Sequence, residues 1–98
     1  SAEKRWMAGI LAGRAEAEYR YDYAQAASYL QQADRHAAEN SLEKMTARWW
    51  LADALARAGK FEQSDVLYES ILSTWEDSHP ASHIVRRTKA ILKQRKKK

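Results

Sequence analysis

The chain has no cysteine, and only one proline and three glycines in 98 residues. Without cysteine there is neither a disulfide framework nor a thiolate metal site, and the redox compartment leaves no trace in the sequence. So few backbone breakers, among abundant alanine, glutamine, glutamate, lysine and arginine, argue for helix throughout. No uninterrupted apolar run approaches the ~20 residues that span a bilayer. The opening stretch, Ser1 to Glu16, has a short apolar patch but gains charge at once, so it makes a poor signal peptide.

Acid is missing from one end. The chain through Asp77 carries nine basic and thirteen acidic residues, a net −4. After it come eight basic residues (Arg86, Arg87, Lys89, Lys93, Arg95, Lys96, Lys97, Lys98) and no acid. The overall +4 therefore describes a mildly acidic body with a strongly basic end.

Catalytic signatures are missing too. Ser28, Ser41, Ser64, Ser70, Ser73 and Ser78 have no glycine elbow, and there is no glycine-rich phosphate loop. Carboxylates such as Asp65 and Glu69 fall on helix surfaces, where charge normally faces water. His79 and His83 are four apart, but no HExxH glutamate lies between them, so they are expected to be solvated. His36 stands alone. No enzymatic activity, cofactor or metal is expected.

What is present is helical period. Over Ala47 to Leu72 and its immediate flanks, Met45, Trp49, Ala52, Leu55 and Ala56 form one stripe and Phe61, Ser64, Tyr68, Ile71, Leu72 and Trp75 another. Gly59 suits the left-handed residue that ends the first of these helices, which makes the pair a hairpin. A hairpin of this size cannot bury both faces alone, so more of the same is expected around it.

In chain order, the first helix runs from about Ala2 to Arg20, with Trp6, Ile10, Leu11 and Ala17 as its buried side. Gly9 and Gly13, on one face, mark the close approach of another helix. Asp22 caps the second helix, with Gln25 as its capping-box partner. That helix spans about Tyr23 to Ala38 and buries Tyr23, Ala26, Ala27, Leu30, Ala33 and Ala37. Asn40, paired with Glu43, caps a third helix over about Ser41 to Ala58. The fourth covers about Phe61 to Trp75. Pro80 fits the first turn of a fifth, whose inner side is Ala81, Ile84, Val85, Thr88, Ile91 and Leu92. The expected domain is therefore residues 1–93, with hairpins at about 2–38 and 41–75, a closing helix at about 79–93, and a frayed basic tail at 94–98.

The two hairpins repeat. Tyr21-Asp22-Tyr23-Ala24-Gln25-Ala26 superposes on Gly59-Lys60-Phe61-Glu62-Gln63-Ser64 at an offset of 38, which sets Leu30 on Tyr68, Ala33 on Ile71 and Ala17 on Leu55. The second hairpin resembles the tetratricopeptide repeat (TPR) family. Leu51, Ala52 and Leu55 stand for its leucine, small and bulky positions, Gly59 for its turn, and Phe61, Ser64 and Tyr68 for its aromatic, small and aromatic positions. The first hairpin matches at Tyr23, Ala26, Leu30 and Ala33, but Gly13 and Arg14 stand where the leucine and small residue belong. Ile71 replaces the usual late alanine, and neither unit has the closing proline.

The resemblance implies an all-α solenoid of two αα-hairpins, stacked right-handedly, with a C-terminal capping helix. It also implies a concave wall built from the first helix of each unit, here Leu11, Ala15, Glu18, Tyr19, Trp50, Asp53 and Arg57. An exposed aromatic, Trp50, flanked by Asp53 and Arg57 has the composition of a binding hot spot. The expected role is a non-catalytic scaffold holding a peptide, helix or partner domain there. The carboxylate-clamp set that grips chaperone tails is lysine, asparagine and arginine, whereas this wall offers Leu11, Ala15, Trp50 and Asp53, so that ligand is not expected. Two alternatives remain open. One is self-association through Gly9, Gly13, Trp6 and Met7. The other is a nucleic-acid adaptor using Lys89, Lys93, Arg95, Lys96, Lys97 and Lys98.

Overall fold

The computed structural model describes residues 1–96, which contain five α-helices and no strand. α1 is Ala2–Ala15, continued by a π-helical turn at Glu16–Arg20; α2 is Tyr23–His36, α3 Leu42–Arg57, α4 Phe61–Trp75 and α5 His83–Lys96. All-helical architecture therefore holds, and the composition explains it.

The ends of the helices follow local chemistry. Asp22 caps α2 through its side chain, which accepts from the Gln25 N–H at 3.0 Å. Gly59, at φ 83°, closes α3, and the Lys60 N–H donates to the Leu55 carbonyl at 2.8 Å. Three expectations need correction. The cap of α3 is Ser41, whose Oγ accepts from the Lys44 N–H at 3.1 Å; Asn40 instead takes a left-handed φ of 62°. Pro80 precedes α5, which starts only at His83. The residues between make tight turns, His79 N–H to the Trp75 carbonyl and Ser82 N–H to the His79 carbonyl, and these postpone the helix. Finally, Gln94 to Lys96 are helical and not frayed, while Lys97 and Lys98 lie outside the described residues.

Each helix packs on the next in sequence, and α1 touches α3 as α3 touches α5. That places α3 in the middle, with two buried faces where the sequence suggested one stripe. Ala47, Leu51 and Ala54 join Ile10, Ala26, Leu30 and Ala33 in one core. Met45 and Ala52 join Tyr68, Ile71, Trp75, Val85 and Leu92 in another. Each fully buried large side chain contributes about 1.5–3 kcal/mol through the apolar area it removes from water. Three expected core members are solvent-facing: Leu11 is 63% exposed, Phe61 is 56% exposed, and Ala81 is exposed in the turn before α5. Leu11 points away from both α2 and α3, and Phe61 is the first residue of its helix.

Gly9 and Gly13 mark the tightest seam. A Cβ on Gly9 would stand 2.9 Å from both the Ala33 Cβ and the Tyr29 carbonyl, and one on Gly13 would stand 2.6 Å from Leu30 Cγ. This face is thus consumed by α2 and is not open for self-association.

The π-helical turn changes the repeat. At the end of α3 the Lys60 N–H reaches five residues back, to Leu55; at the end of the first helix the Asp22 N–H reaches six back, to Glu16, at 3.0 Å. The first unit holds one extra residue in that turn. The offset of 38 therefore applies from Tyr21 onward, where Tyr21 and Gly59 both have positive φ, and becomes 39 before it. Gly13 then occupies the small-residue station of Ala52, and Ala17 no longer aligns with Leu55. Gly13 faces the Ala26 carbonyl, just as the Ala52 carbonyl meets Ser64.

Candidate binding cleft

Two tryptophans hold the start of α3, Trp6 from α1 and Trp75 from α4. Trp6 Nε1–H donates to the Glu43 carbonyl at 2.9 Å, and Trp75 Nε1–H to the Asn40 carbonyl at 3.1 Å. Beneath them the buried Lys44 ammonium donates to the Asp34 carbonyl and sits 3.4 Å from its carboxylate, which Arg48 Nε also faces at 3.5 Å.

With α3 held this way, a cleft of about 330 Å³ opens between α1 and α3. Its floor is Gly13, Ala17, Leu30 and Ala54; its walls are Arg14, Glu18, Trp50, Asp53 and Arg57. Of the seven residues expected on a binding wall, Glu18, Trp50, Asp53 and Arg57 come together here. Leu11, Ala15 and Tyr19 do not: all three are exposed on the outer side of the first helix, Tyr19 at 80%.

Arg14 is the wall residue that sequence reasoning missed. Its guanidinium lies 4.4 Å from the centre of the Trp50 ring and its Nη2 donates to Glu18 Oε1 at 2.7 Å. The i, i+4 spacing of Arg14 and Glu18 is a legible ion-pair signal, but it gives no hint of the ring beneath. Opposite, Arg57 Nε meets Asp53 Oδ2 at 3.1 Å, and its guanidinium stands 5.9 Å from the Tyr23 ring. The Tyr23 hydroxyl first, and then the Asp53 charge, raise the Arg57 pKa above its ordinary value. Trp49, the neighbour of Trp50 and about 100° away around the helix, turns to the other core and packs on Tyr68 at 5.5 Å between ring centres.

The cleft is thus an aromatic wall over a small-residue floor, rimmed by two ion pairs of zero net charge. A cation–π contact at an exposed site is worth only about 0.5–1 kcal/mol, so Arg14 is weakly held over Trp50. A second cleft, of about 450 Å³, lies on the other side of the molecule between α2 and α4, over Leu51, Leu55 and Leu67. It has one cation, Lys60, and no aromatic anchor. Among the described residues no three histidine or carboxylate side chains converge as a metal site would require, and no helix is long and apolar enough to cross a membrane. No protein family, no curated protein and no solved structure matches this chain.

Proposed function

We propose that the protein is a non-catalytic interaction module, a TPR-like pair of hairpins with a closing helix, that holds a peptide, helix or partner domain in the α1–α3 cleft. The observation that carries this reading is Trp50, half-buried beneath a weakly held Arg14 and flanked by two ion pairs. Binding energy concentrates at buried aromatic and arginine anchors ringed by polar groups, and this cleft has that composition. The two ion pairs orient a ligand by its pattern of charge and not by its net charge. The resemblance of Leu51, Ala52, Leu55, Gly59, Phe61, Ser64 and Tyr68 to the TPR pattern supports the same face, since such arrays bind along the first helix of each unit.

A peptide-display selection against the full chain tests it. Enriched peptides are expected to bind Trp50→Ala at least about tenfold more weakly, a loss of about 1.4 kcal/mol. Their chemical-shift changes should cluster on α1 and α3. Peptides that bind Trp50→Ala as well as the parent, or shifts confined to the α2–α4 side, would overturn the reading.

A further inference from the structure

α5 turns two unlike faces to its surroundings. Val85, Thr88 and Leu92 are buried against α4, and Ile84 and Ile91 pack at the margin of that core. On one outer flank Arg86, Lys89, Lys93 and Lys96 follow at intervals of three, four and three, and all four are exposed. At 100° per residue those intervals gather them into a sector of about 80°, and at 1.5 Å per residue they span about 15 Å along the axis. Lys89 Nζ meets Glu76 Oε1 at 2.8 Å; among the described residues the other three have no carboxylate within ion-pair distance. The cations on the opposite flank are engaged differently, Arg87 over the Trp49 ring at 5.7 Å and Arg95 against Asp65.

We propose that this flank of α5 docks on the phosphate backbone of double-stranded nucleic acid, through charge and without reading sequence. The basic end is thereby a rigid row of cations on a helix, and its outward side chains are those of Arg86, Lys89, Lys93 and Lys96. One strand of a duplex presents a phosphate about every 3.4 Å along its axis, so a row of about 15 Å matches four or five of them. The face carries no exposed apolar side chain larger than Ala90, which distinguishes it from a helix that lies in a membrane surface. It also lacks the buried anchor from which a protein partner takes most of its affinity. A phosphate backbone asks for neither. The α1–α3 cleft takes no part.

The test is fluorescence anisotropy of a labelled 16-base-pair duplex with the full chain, across 50 to 200 mM salt. Four phosphate contacts give a slope of log K against log salt of about −3.6, and so about a hundredfold loss over that range. The variant Arg86→Gln, Lys89→Gln, Lys93→Gln, Lys96→Gln is expected to bind at least about tenfold more weakly with a slope near zero. Its circular dichroism should be unchanged, since all four side chains are exposed. Replacing Lys97 and Lys98 by glutamine instead is expected to leave most of the slope in place. No duplex binding at 50 mM salt overturns the proposal, and so does a slope that survives in the four-site variant and vanishes on changing Lys97 and Lys98. Tighter binding to phosphatidylserine vesicles than to the duplex overturns it as well, and assigns the row to a membrane surface.

Discussion

Arg57 and Arg95 occupy equivalent stations 38 residues apart, and each holds its guanidinium near the ring that lies 34 residues before it. Arg57 is 5.9 Å from the centre of Tyr23, and Arg95 is 5.3 Å from that of Phe61. The repeat thus extends into α5, which closes the second hairpin with the contact that α3 makes on the first. The two are not equal in burial. Arg95 also pairs with Asp65 and lies 5.5 Å from the Tyr68 ring, with a side chain only 23% exposed against 57% for Arg57. Arg95→Ala should therefore destabilise the fold by about 1–2 kcal/mol, and Arg57→Ala by less than about 0.5 kcal/mol. Urea unfolding of both variants measures the difference.

Gly9→Ala and Gly13→Ala set two effects against each other. Alanine gains about 1 kcal/mol of helix propensity over glycine. The new methyl would press on the Tyr29 carbonyl and Ala33 in the first case and on buried Leu30 in the second. Overpacking of a filled seam costs about 1–3 kcal/mol, so both variants should be net destabilised. The glycine 50 residues further on is the control: nothing lies within 4 Å of a Cβ at Gly59, and the cost of alanine there comes from its φ of 83° alone. Thermal unfolding of the three variants, with the helix content checked by circular dichroism, decides the matter.

Asp34 serves two cations that have little water, with side-chain exposures of 6% for Lys44 and 17% for Arg48. Arg48 Nε has no hydrogen-bond partner and depends on that carboxylate for compensation. Asp34→Ala removes the carboxylate from both, leaving Lys44 with the backbone carbonyl of residue 34 and Arg48 with Ser70, and should cost about 1–3 kcal/mol. Lys44→Met keeps the apolar stem and leaves Asp34 to Arg48, so about 1 kcal/mol is expected. The double variant should lose less than the sum of the two, a coupling read from a denaturant double-mutant cycle.

Much of this architecture was legible, and the misses have physical causes. The extent of α4 could be read from its apolar period, and the Asp22 cap and the Gly59 turn follow from one residue type each. Asn40 and Ser41 are both good caps; what separates them is that Asn40 tolerates a left-handed φ while Ser41 takes the extended backbone of a cap. The second buried face of α3 is mostly alanine, which has the same composition as a solvent-facing helix side. Trp50, Asp53 and Arg57 could be grouped from spacing on one helix, and the family resemblance joined Glu18 to them, but the Arg14 roof could not be read. It spans two helices, and spacing within one helix carries no information about a partner on another.

Tyr68 gives the pH dependence. Its ring is buried and its pKa is pushed up to about 12, first by desolvation and then by the Asp53 charge. An unfolded tyrosine ionises near 10, so between about pH 10 and 12 the unfolded chain releases a proton that the folded chain retains. Stability is full below about pH 10 and falls as pH rises through that window, by up to about 2 kcal/mol. The parent should lose this stability between urea titrations at pH 9 and pH 11.5, and Tyr68→Phe should lose much less. An equal decline in both would assign the effect elsewhere.

The π-helical turn at Glu16–Arg20 predicts an asymmetric tolerance to deletion. It stores one residue that the second unit does not have, and Tyr19, inside it, is the most exposed of the large hydrophobic side chains described. Removing Tyr19 lets the turn close as ordinary α-helix and restores an offset of 38 across the whole first unit. Gly9, Ile10 and Gly13 keep their seats, because everything before the turn keeps its relation to α2. Such a variant should still unfold cooperatively, within about 1–2 kcal/mol of the parent. Removing Asp53 from α3 has no such reserve: the halves on either side would turn by about 100° relative to each other. Leu51 and Ala52 would then leave their cores or Ala54 would, and the cooperative transition should disappear. If the two deletions prove equally damaging, the extra residue is held by contacts of its own and is not a spare turn.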